Sequence, residues 1–135
     1  MSNITQVVNT EKNMTTLKRG ITASGLDQVL SGTGPYTVFA PSDMAFGKLE
    51  SGVVEDLLKP ENKVKLTALL NNHVVPGRLA FKELKDGDKL KTLAGKDLMV
   101  NVKDGKVSIE GAIIQSRDIN SSNGVVHSLD TVLKN

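Results

Sequence analysis

The spacing of the apolar residues changes along this chain of 135 residues, from a helical period in the first half to a strand period in the second. Apolar side chains recur at three- and four-residue intervals over residues 13–24, which predicts a helix there. This period is set by Met14, Leu17 and Ile21. Asn13 is placed to cap the start of the helix, and Gly25 is placed to end it.

A second helical pattern follows Pro60, a residue that suits the first turn of a helix. The residues at positions i, i+3, i+4 and i+7 are Leu66, Leu69, Leu70 and His73. We expect this helix to end near Asn71 and Asn72, because the β-branched Val74 and Val75 come next.

Between the two helices lies a short β-prone run, residues 36–40, which is bounded by prolines. It predicts one strand that ends before Pro41. Ser42 then stands where its hydroxyl would accept from the free amides of a new helix. Asp43 would add negative charge at the positive end of that helix. This segment therefore predicts a strand followed directly by a capped helix.

The second half of the chain alternates apolar and polar residues with a period of two. In the clearest pair of strands the apolar positions are Leu98, Val100, Val102, Val107 and Ile109. Asp104 and Gly105 between them are typical of a two-residue hairpin turn. The further strands predicted by this period cover residues 89–93, 112–115 and 125–133. A turn is predicted over residues 120–124, just before the last strand.

Helices followed by strands predict an α+β fold with an antiparallel sheet, and the length suits a single domain over residues 1–135.

The 17 Lys and Arg residues are interspersed with 15 Asp and Glu residues, and aromatic residues are few, so nucleic acid is not expected as a partner. Cysteine is absent, which excludes disulfides and thiolate chemistry. Neither a transmembrane segment nor an export signal is recognisable. We therefore expect either a cytoplasmic protein or a mature form whose signal is removed.

Three segments of the chain resemble the fasciclin domain family, in the family's order and spacing. The first is TVFAPSD at residues 37–43 followed by Ala45 and Phe46, the second is NHVV at residues 72–75, and the third is NGVVHSLDTVL at residues 123–133. The residues of the first and third motifs that we expect to be structural are Thr37, Phe39, Pro41, Ser42, Asp43, Phe46, Gly124, His127 and Asp130.

The resemblance implies a wedge-shaped antiparallel β-sandwich with several N-terminal helices packed on and beside it, which is an α+β fold. It also implies a non-enzymatic adhesion module that binds a protein or extracellular-matrix partner through loops. On this interpretation the protein is secreted, periplasmic or on the cell surface, acts as a monomer and needs no cofactor and no metal.

The same resemblance indicates two candidate partner contacts. One is Asn72 with His73. Animal members that are linked to integrins often have Tyr before this His, so the resemblance does not extend to integrin recognition. The other is Asp118 with Ile119, which is similar to an acidic-aliphatic pair that other family members present in a loop. Loops lie on the surface and commonly carry binding residues.

Both histidines are expected in the interior. His73 lies on the apolar side of a helix end, where an imidazole can satisfy buried backbone groups. His127 shares an apolar strand face and needs a partner there, with Asp43 and Asp130 as the alternatives. With two histidines and no carboxylate at ligand spacing, the sequence does not predict a metal site.

Two other functions stay open on the sequence. A small-ligand carrier or sensor would need an enclosed apolar pocket of roughly 300 Å³ or more between helices and sheet. An enzyme would need Ser42 or a carboxylate beside a histidine in an open cleft. Ser42 lacks the G-x-S-x-G turn of a nucleophile and already has a capping role, so no enzyme activity is predicted.

Overall fold

A computed structural model of the protein describes residues 3–32, 34–49 and 52–133. Within these residues the chain forms six α-helices, eight β-strands and two short 3-10 turns. The helices are α1 (Ile4–Thr10), α2 (Thr15–Ser24), α3 (Leu26–Leu30), α4 (Asp43–Gly47), α5 (Val53–Leu57) and α6 (Lys63–Asn71). The strands are β1 (Tyr36–Pro41), β2 (Val74–Pro76), β3 (Lys89–Lys91), β4 (Asp97–Lys103), β5 (Lys106–Ile109), β6 (Ala112–Ile113), β7 (Ile119–Ser121) and β8 (Gly124–Leu129). The 3-10 turns are Pro60–Asn62 and Phe81–Glu83.

The strands form two four-stranded sheets. The first has the order β2-β1-β8-β7, and β1 runs parallel to β8, from Tyr36 opposite Gly124 to Pro41 opposite Leu129. The second has the order β3-β4-β5-β6 with every pair antiparallel. The predicted α+β fold class is confirmed, with one difference: the first sheet is mixed. It pairs strands that are far apart in the chain, and no local pattern indicates the direction of such a pair.

The helices and the second sheet cover opposite faces of the first sheet. In β1, Val38 and Ala40 pack with the helices in one core. Phe39 lies between them and packs in a second core with residues of the other sheet, such as Val100 and Ile109. Successive strand residues face opposite sides, so one strand contributes to both cores. None of the helices in the described part of the chain has the length and hydropathy of a membrane-spanning segment.

The helix predicted over residues 13–24 is present as α2, and Gly25 ends it with a φ of 79°. The predicted cap at Asn13 is wrong, because the N-cap position is taken by Met14, whose side chain makes no capping hydrogen bond. The helix predicted after Pro60 is also present and starts as a 3-10 turn that continues into α6.

Several other local predictions can be compared directly. Ser42 caps α4, since its hydroxyl accepts from the Ala45 amide at 3.3 Å. The hairpin turn is confirmed, because Asp104 and Gly105 have the positive φ values of 52° and 78° that its type requires. The last strand ends at Leu129 rather than at residue 133, and the turn predicted over residues 120–124 is shorter because β7 runs to residue 121.

Candidate interaction site

His73 lies in the interior, with 1% of its surface exposed. Its Nδ1 donates to the Leu69 carbonyl at 2.8 Å, and its Nε2 accepts from the Leu133 amide at 2.9 Å. These two bonds require the neutral ring with its proton on Nδ1, because a carbonyl only accepts and an amide N–H only donates. Burial lowers the pKa of His73 from 6.5 to about 4, although the Leu69 carbonyl opposes this shift. The uncharged ring therefore connects the end of α6 to the C-terminal segment.

His127 is the second fully buried imidazole. Its Nε2 donates to the Leu79 carbonyl at 2.8 Å, and its Nδ1 accepts from the Asp118 amide at 3.1 Å. The ring stacks on Phe39 with centroids 5.7 Å apart. Burial lowers the pKa of His127, and the Leu79 carbonyl and the charge of Asp118 act in the opposite direction. His127 thus connects β8 to two separate surface segments through their backbone groups.

The two acids expected as partners of this imidazole are engaged elsewhere, so that prediction is wrong. Asp43 accepts from the Thr15 hydroxyl at 2.7 Å and from the Thr16 amide at 2.8 Å, and it thereby caps α2. Burial would raise the pKa of Asp43, but these hydrogen bonds outweigh it and lower the pKa. Asp130 accepts from the Ile113 amide at 2.9 Å and joins the two sheets. A carboxylate that already accepts from backbone donors is satisfied without an imidazole.

Two neighbouring surface segments are held by these contacts. We call residues 77–83 the first loop and residues 114–118 the second loop. The hydroxyl of Thr37 donates to the Gly77 carbonyl at 2.6 Å and accepts from the Leu79 amide at 2.8 Å. Thr37 is a buried residue of β1, and it therefore bonds the first loop to the first sheet at two backbone positions.

The two loops are also bonded to each other and to the first sheet. The Asp118 carboxylate accepts from the Phe81 amide at 2.8 Å. Arg78 donates to the carbonyls of Gly124 at 2.8 Å and Ser121 at 3.0 Å. Asp118 has a φ of 54°, a conformation that residues other than glycine seldom adopt, and its amide and carboxylate bonds both hold it there. The loops are therefore surface segments whose backbones are fixed.

The four predicted contact residues occupy different environments. Asn72 and His73 are both 1% exposed, so neither side chain reaches the surface. Ile119 is partly buried against the helical core and lies opposite Val126. Asp118 is exposed, and its carboxylate already accepts from an amide. A binding role for either interior residue would therefore act through the backbone around it and not by direct contact.

Sequence reasoning missed two residues of this region. The Arg117 guanidinium carbon lies 4.2 Å from the ring centroid of Phe81. Asn123 is buried, and its amide nitrogen donates to the Leu30 carbonyl at 2.6 Å while its oxygen accepts from the Ile4 amide at 2.9 Å. The sequence signals were a basic residue next to Asp118 and an Asn that opens the third motif inside a turn-forming run, and neither indicates a distant partner.

The remaining motif residues belong to the interior. They are Thr37, Phe39, Pro41, Ser42, Phe46 and Gly124. Gly124 lies so close to β1 that a Cβ in its place would collide with the Tyr36 carbonyl. The first and third motifs therefore meet in the parallel pair of β1 and β8. These are the two strands to which Thr37 and His127 bond the two loops.

The geometry around Ser42 does not resemble that of a catalytic nucleophile. The side chain is buried, and its oxygen accepts from the amide that it caps. Among residues 3–32, 34–49 and 52–133, no three or more His, Asp or Glu side chains are grouped so that they could hold a metal ion.

Two cavities bear on the carrier hypothesis. The apolar cavity between α2, α4, α5 and α6 has a volume of about 10 Å³, which is room for one water molecule. An open groove beside the β4–β5 hairpin measures about 260 Å³, and Lys103, Asp104 and Lys106 line it. Neither is the enclosed apolar pocket of roughly 300 Å³ or more that a ligand carrier requires.

Comparisons with known proteins agree with the geometry. A family model described as the fasciclin domain matches residues 12–135. The protein sll1483 of Synechocystis sp. is 43% identical over 130 residues, which cover 96% of this chain and 72% of that protein. The transforming growth factor-beta-induced protein ig-h3 of Sus scrofa is 36% identical over 134 residues, which cover 98% of this chain and 19% of that protein.

A solved structure is similar over nearly the whole fold. It is that of a FAS1 domain pair from the insect cell adhesion molecule fasciclin I, with a TM-score of 0.88 and 17% identity. The match covers 99% of this chain and 51% of that chain. At this identity the likeness concerns the fold alone. This chain spans about half the length of the domain pair and about a fifth of ig-h3.

Proposed function

Because this chain belongs to the fasciclin domain family, we propose that it is a non-enzymatic interaction module that binds a protein or extracellular-matrix partner through its surface loops. The proposal includes a secreted, periplasmic or cell-surface location, a single domain and a monomeric state. It is supported by the fasciclin domain match over residues 12–135 and, for the fold alone, by the likeness to part of an insect cell adhesion molecule.

The observation on which the proposal rests is that the first and second loops are both exposed and fixed. His127, Thr37 and Asp118 hold them at backbone amides and carbonyls. A fixed loop loses little conformational entropy when a partner binds, so more of the contact free energy appears as affinity. In this proposal Asp118 and Ile119 lie within the contact region, whereas Asn72 and His73 act from the interior.

The side chains that could perform catalysis have other roles, which favours binding over turnover. Both imidazoles are buried and each uses both of its nitrogens in hydrogen bonds to backbone groups. Asp43 and Asp130 each accept from a backbone amide. A general base needs a face that is open to substrate, and the two imidazoles lack one.

The proposal can be tested by blocking the loops with a bulky group. The chain contains no cysteine, so a single introduced thiol can be modified at a chosen place. Ser116→Cys places the thiol in the second loop, and Thr22→Cys places it on the exposed side of α2 as the matched control. Each variant is coupled to a polyethylene glycol chain and assayed for attachment to cells and to immobilised matrix proteins.

We expect the unmodified protein to attach, the polymer at position 116 to abolish attachment and the polymer at position 22 to leave it unchanged. If neither the unmodified protein nor a tandem pair of it attaches to any surface, the adhesion proposal is wrong. If attachment survives the polymer at position 116, the partner binds elsewhere on the protein.

A further inference from the structure

Arg117 lies at the junction of the two loops, with its guanidinium carbon 4.2 Å from the centre of the Phe81 ring. From this arrangement we infer that Arg117 on Phe81 is the contact point for a carboxylate of a protein partner, presented by an Asp or Glu next to an apolar residue. The inference rests on the proposed function and names the chemistry that the partner must supply.

The Arg117 guanidinium has no carboxylate partner within the described part of the chain. The ion pairs found there are Arg19 with Glu55, Lys48 with Asp130, and Lys59 with Asp56. The Arg117 side chain is exposed and is held over an aromatic ring, so its N–H groups remain available. A planar guanidinium matches a carboxylate with two parallel hydrogen bonds, which makes this side chain suited to that group.

Three other charged side chains of the two loops are hydrogen-bonded to backbone groups. Asp118 accepts from the Phe81 amide at 2.8 Å, and Glu83 accepts from the Ala80 amide at 3.2 Å. The Arg78 guanidinium donates to two carbonyls of the first sheet. Both nearby acids therefore have backbone donors, and Arg117 differs from Arg78 because its guanidinium has none of these carbonyl acceptors.

The contact point is preorganised by Asp118. Its carboxylate fixes the amide of Phe81, and its own amide is fixed by His127. Arg117 immediately precedes it in the second loop, so the cation and the ring are both anchored through one residue. Arg and aromatic side chains on a fixed backbone are typical of the residues that contribute most to the binding free energy of interfaces.

The local charge favours a single carboxylate over a polyanion. The two loops and their junction contain three cations, at Arg78, Lys82 and Arg117, and two acids, at Glu83 and Asp118, which leaves one excess positive charge. A chain of phosphates or sulfates would meet both acids, and affinity for such chains depends on clustered cations. Leu79 and Phe81 are only partly buried, so an apolar side chain of the partner has a surface to pack on.

The test uses a defined probe in place of the unidentified partner. The blocked tripeptide Leu-Asp-Leu is titrated into 15N-labelled protein, with Leu-Asn-Leu as the uncharged matched control. We expect the Arg117 side-chain N–H and the amides of Phe81 and Asp118 to shift, with a Kd on the order of millimolar. The Asn peptide should bind about tenfold more weakly, because a hydrogen bond to a charged group is replaced by a neutral one.

Three variants complete the test. R117Q should lose the shifts, R117K should weaken them, and K18Q should keep them as the matched control, because Lys18 is an exposed cation on α2 outside both loops. The amide spectra of the variants outside the two loops must match that of the unmodified protein, which excludes misfolding. Equal shifts in R117Q, equal binding of the Asn peptide, no shifts at either loop, or tighter binding of a sulfated oligosaccharide would each overturn the inference.

The inference and the proposed function can fail separately. If R117Q attaches to cells and matrix proteins as well as the unmodified protein does, the carboxylate contact is wrong and the adhesion function stands. If the peptide binds as expected but the unmodified protein attaches to nothing, the Arg117 site stands and the adhesion function is wrong.

Discussion

Polar side chains in the core of this protein satisfy backbone groups that packing has removed from water. His73 bonds one carbonyl and one amide, and His127 does the same at two other segments. Asp43 is only partly buried, and it accepts in the same way from the first turn of α2. An unpaired buried donor or acceptor costs about 1–3 kcal/mol, so each of these side chains stabilises the fold by an amount that can be measured.

The first prediction concerns His73. His73→Ala leaves the Leu133 amide without an acceptor and the Leu69 carbonyl with only the Asn72 amide as a donor, and we expect the free energy of unfolding to fall by about 1–3 kcal/mol. Urea unfolding measures the change. An unchanged midpoint would refute the interior role of this histidine.

The second prediction identifies the cap of α2. Asp43→Ala should lower the free energy of unfolding by about 1 kcal/mol, because the Thr16 amide loses its acceptor. Asn13→Ala is the matched control, since Asn13 is the cap that sequence spacing predicts, and it should change stability by less than about 0.5 kcal/mol. The reverse order of the two effects would mean that Asn13 is the cap.

The third prediction is a loss of stability in acid. The pKa of His73 falls from 6.5 to about 4 on folding. Between these values the unfolded chain binds a proton that the folded chain does not, so stability is full above pH 6.5 and decreases as the pH falls towards 4. His73 accounts for roughly 3 kcal/mol of this loss in the free energy of unfolding when the pH reaches about 4. His73→Gln should flatten this part of the curve in urea unfolding at a series of pH values, and parallel curves would contradict the assignment.

At the scale of elements, sequence reasoning succeeded where the signal is local and failed where it is not. Helix α2, the capping Ser42 and the hairpin at Asp104 follow from spacing and turn chemistry within a few residues. The short helices α1, α3 and α5 have five to seven residues, too few for a clear period. The parallel pairing of β1 with β8 and the cap from Asp43 join distant parts of the chain. The buried histidines could be predicted from apolar faces, but their partners are backbone groups and leave no pattern.

The fourth prediction tests the pairing of β1 with β8. Gly124→Ala places a Cβ against the Tyr36 carbonyl and should lower the free energy of unfolding by about 2–3 kcal/mol or more. Gly47→Ala is the matched control, because a Cβ at Gly47 has no neighbour within 4 Å, and it should leave stability unchanged or raise it by up to about 1 kcal/mol. If Gly124→Ala is too unstable to unfold reversibly, a loss of soluble, folded protein relative to Gly47→Ala has the same meaning. Equal stability of the two variants would contradict the close contact.

At the scale of the whole molecule, the two cores place the candidate site. The helices cover one face of the first sheet and the second sheet covers the other, so β1 and β8 are buried on both faces. The first and second loops attach to these two strands through Thr37 and His127. Two strands that are buried on both faces therefore carry the segments that we propose for partner binding, and the interior polar groups connect the two.

The central claim is that both imidazoles are neutral interior groups, each held in one tautomer by backbone partners. Long-range 1H–15N correlation spectra of the histidine side chains, recorded across a pH series, measure this directly. We predict a proton on Nδ1 of His73 and on Nε2 of His127, with both rings titrating below pH 6.5. A ring that exchanges between tautomers and titrates at the ordinary value of 6.5 would face water, and would contradict the account.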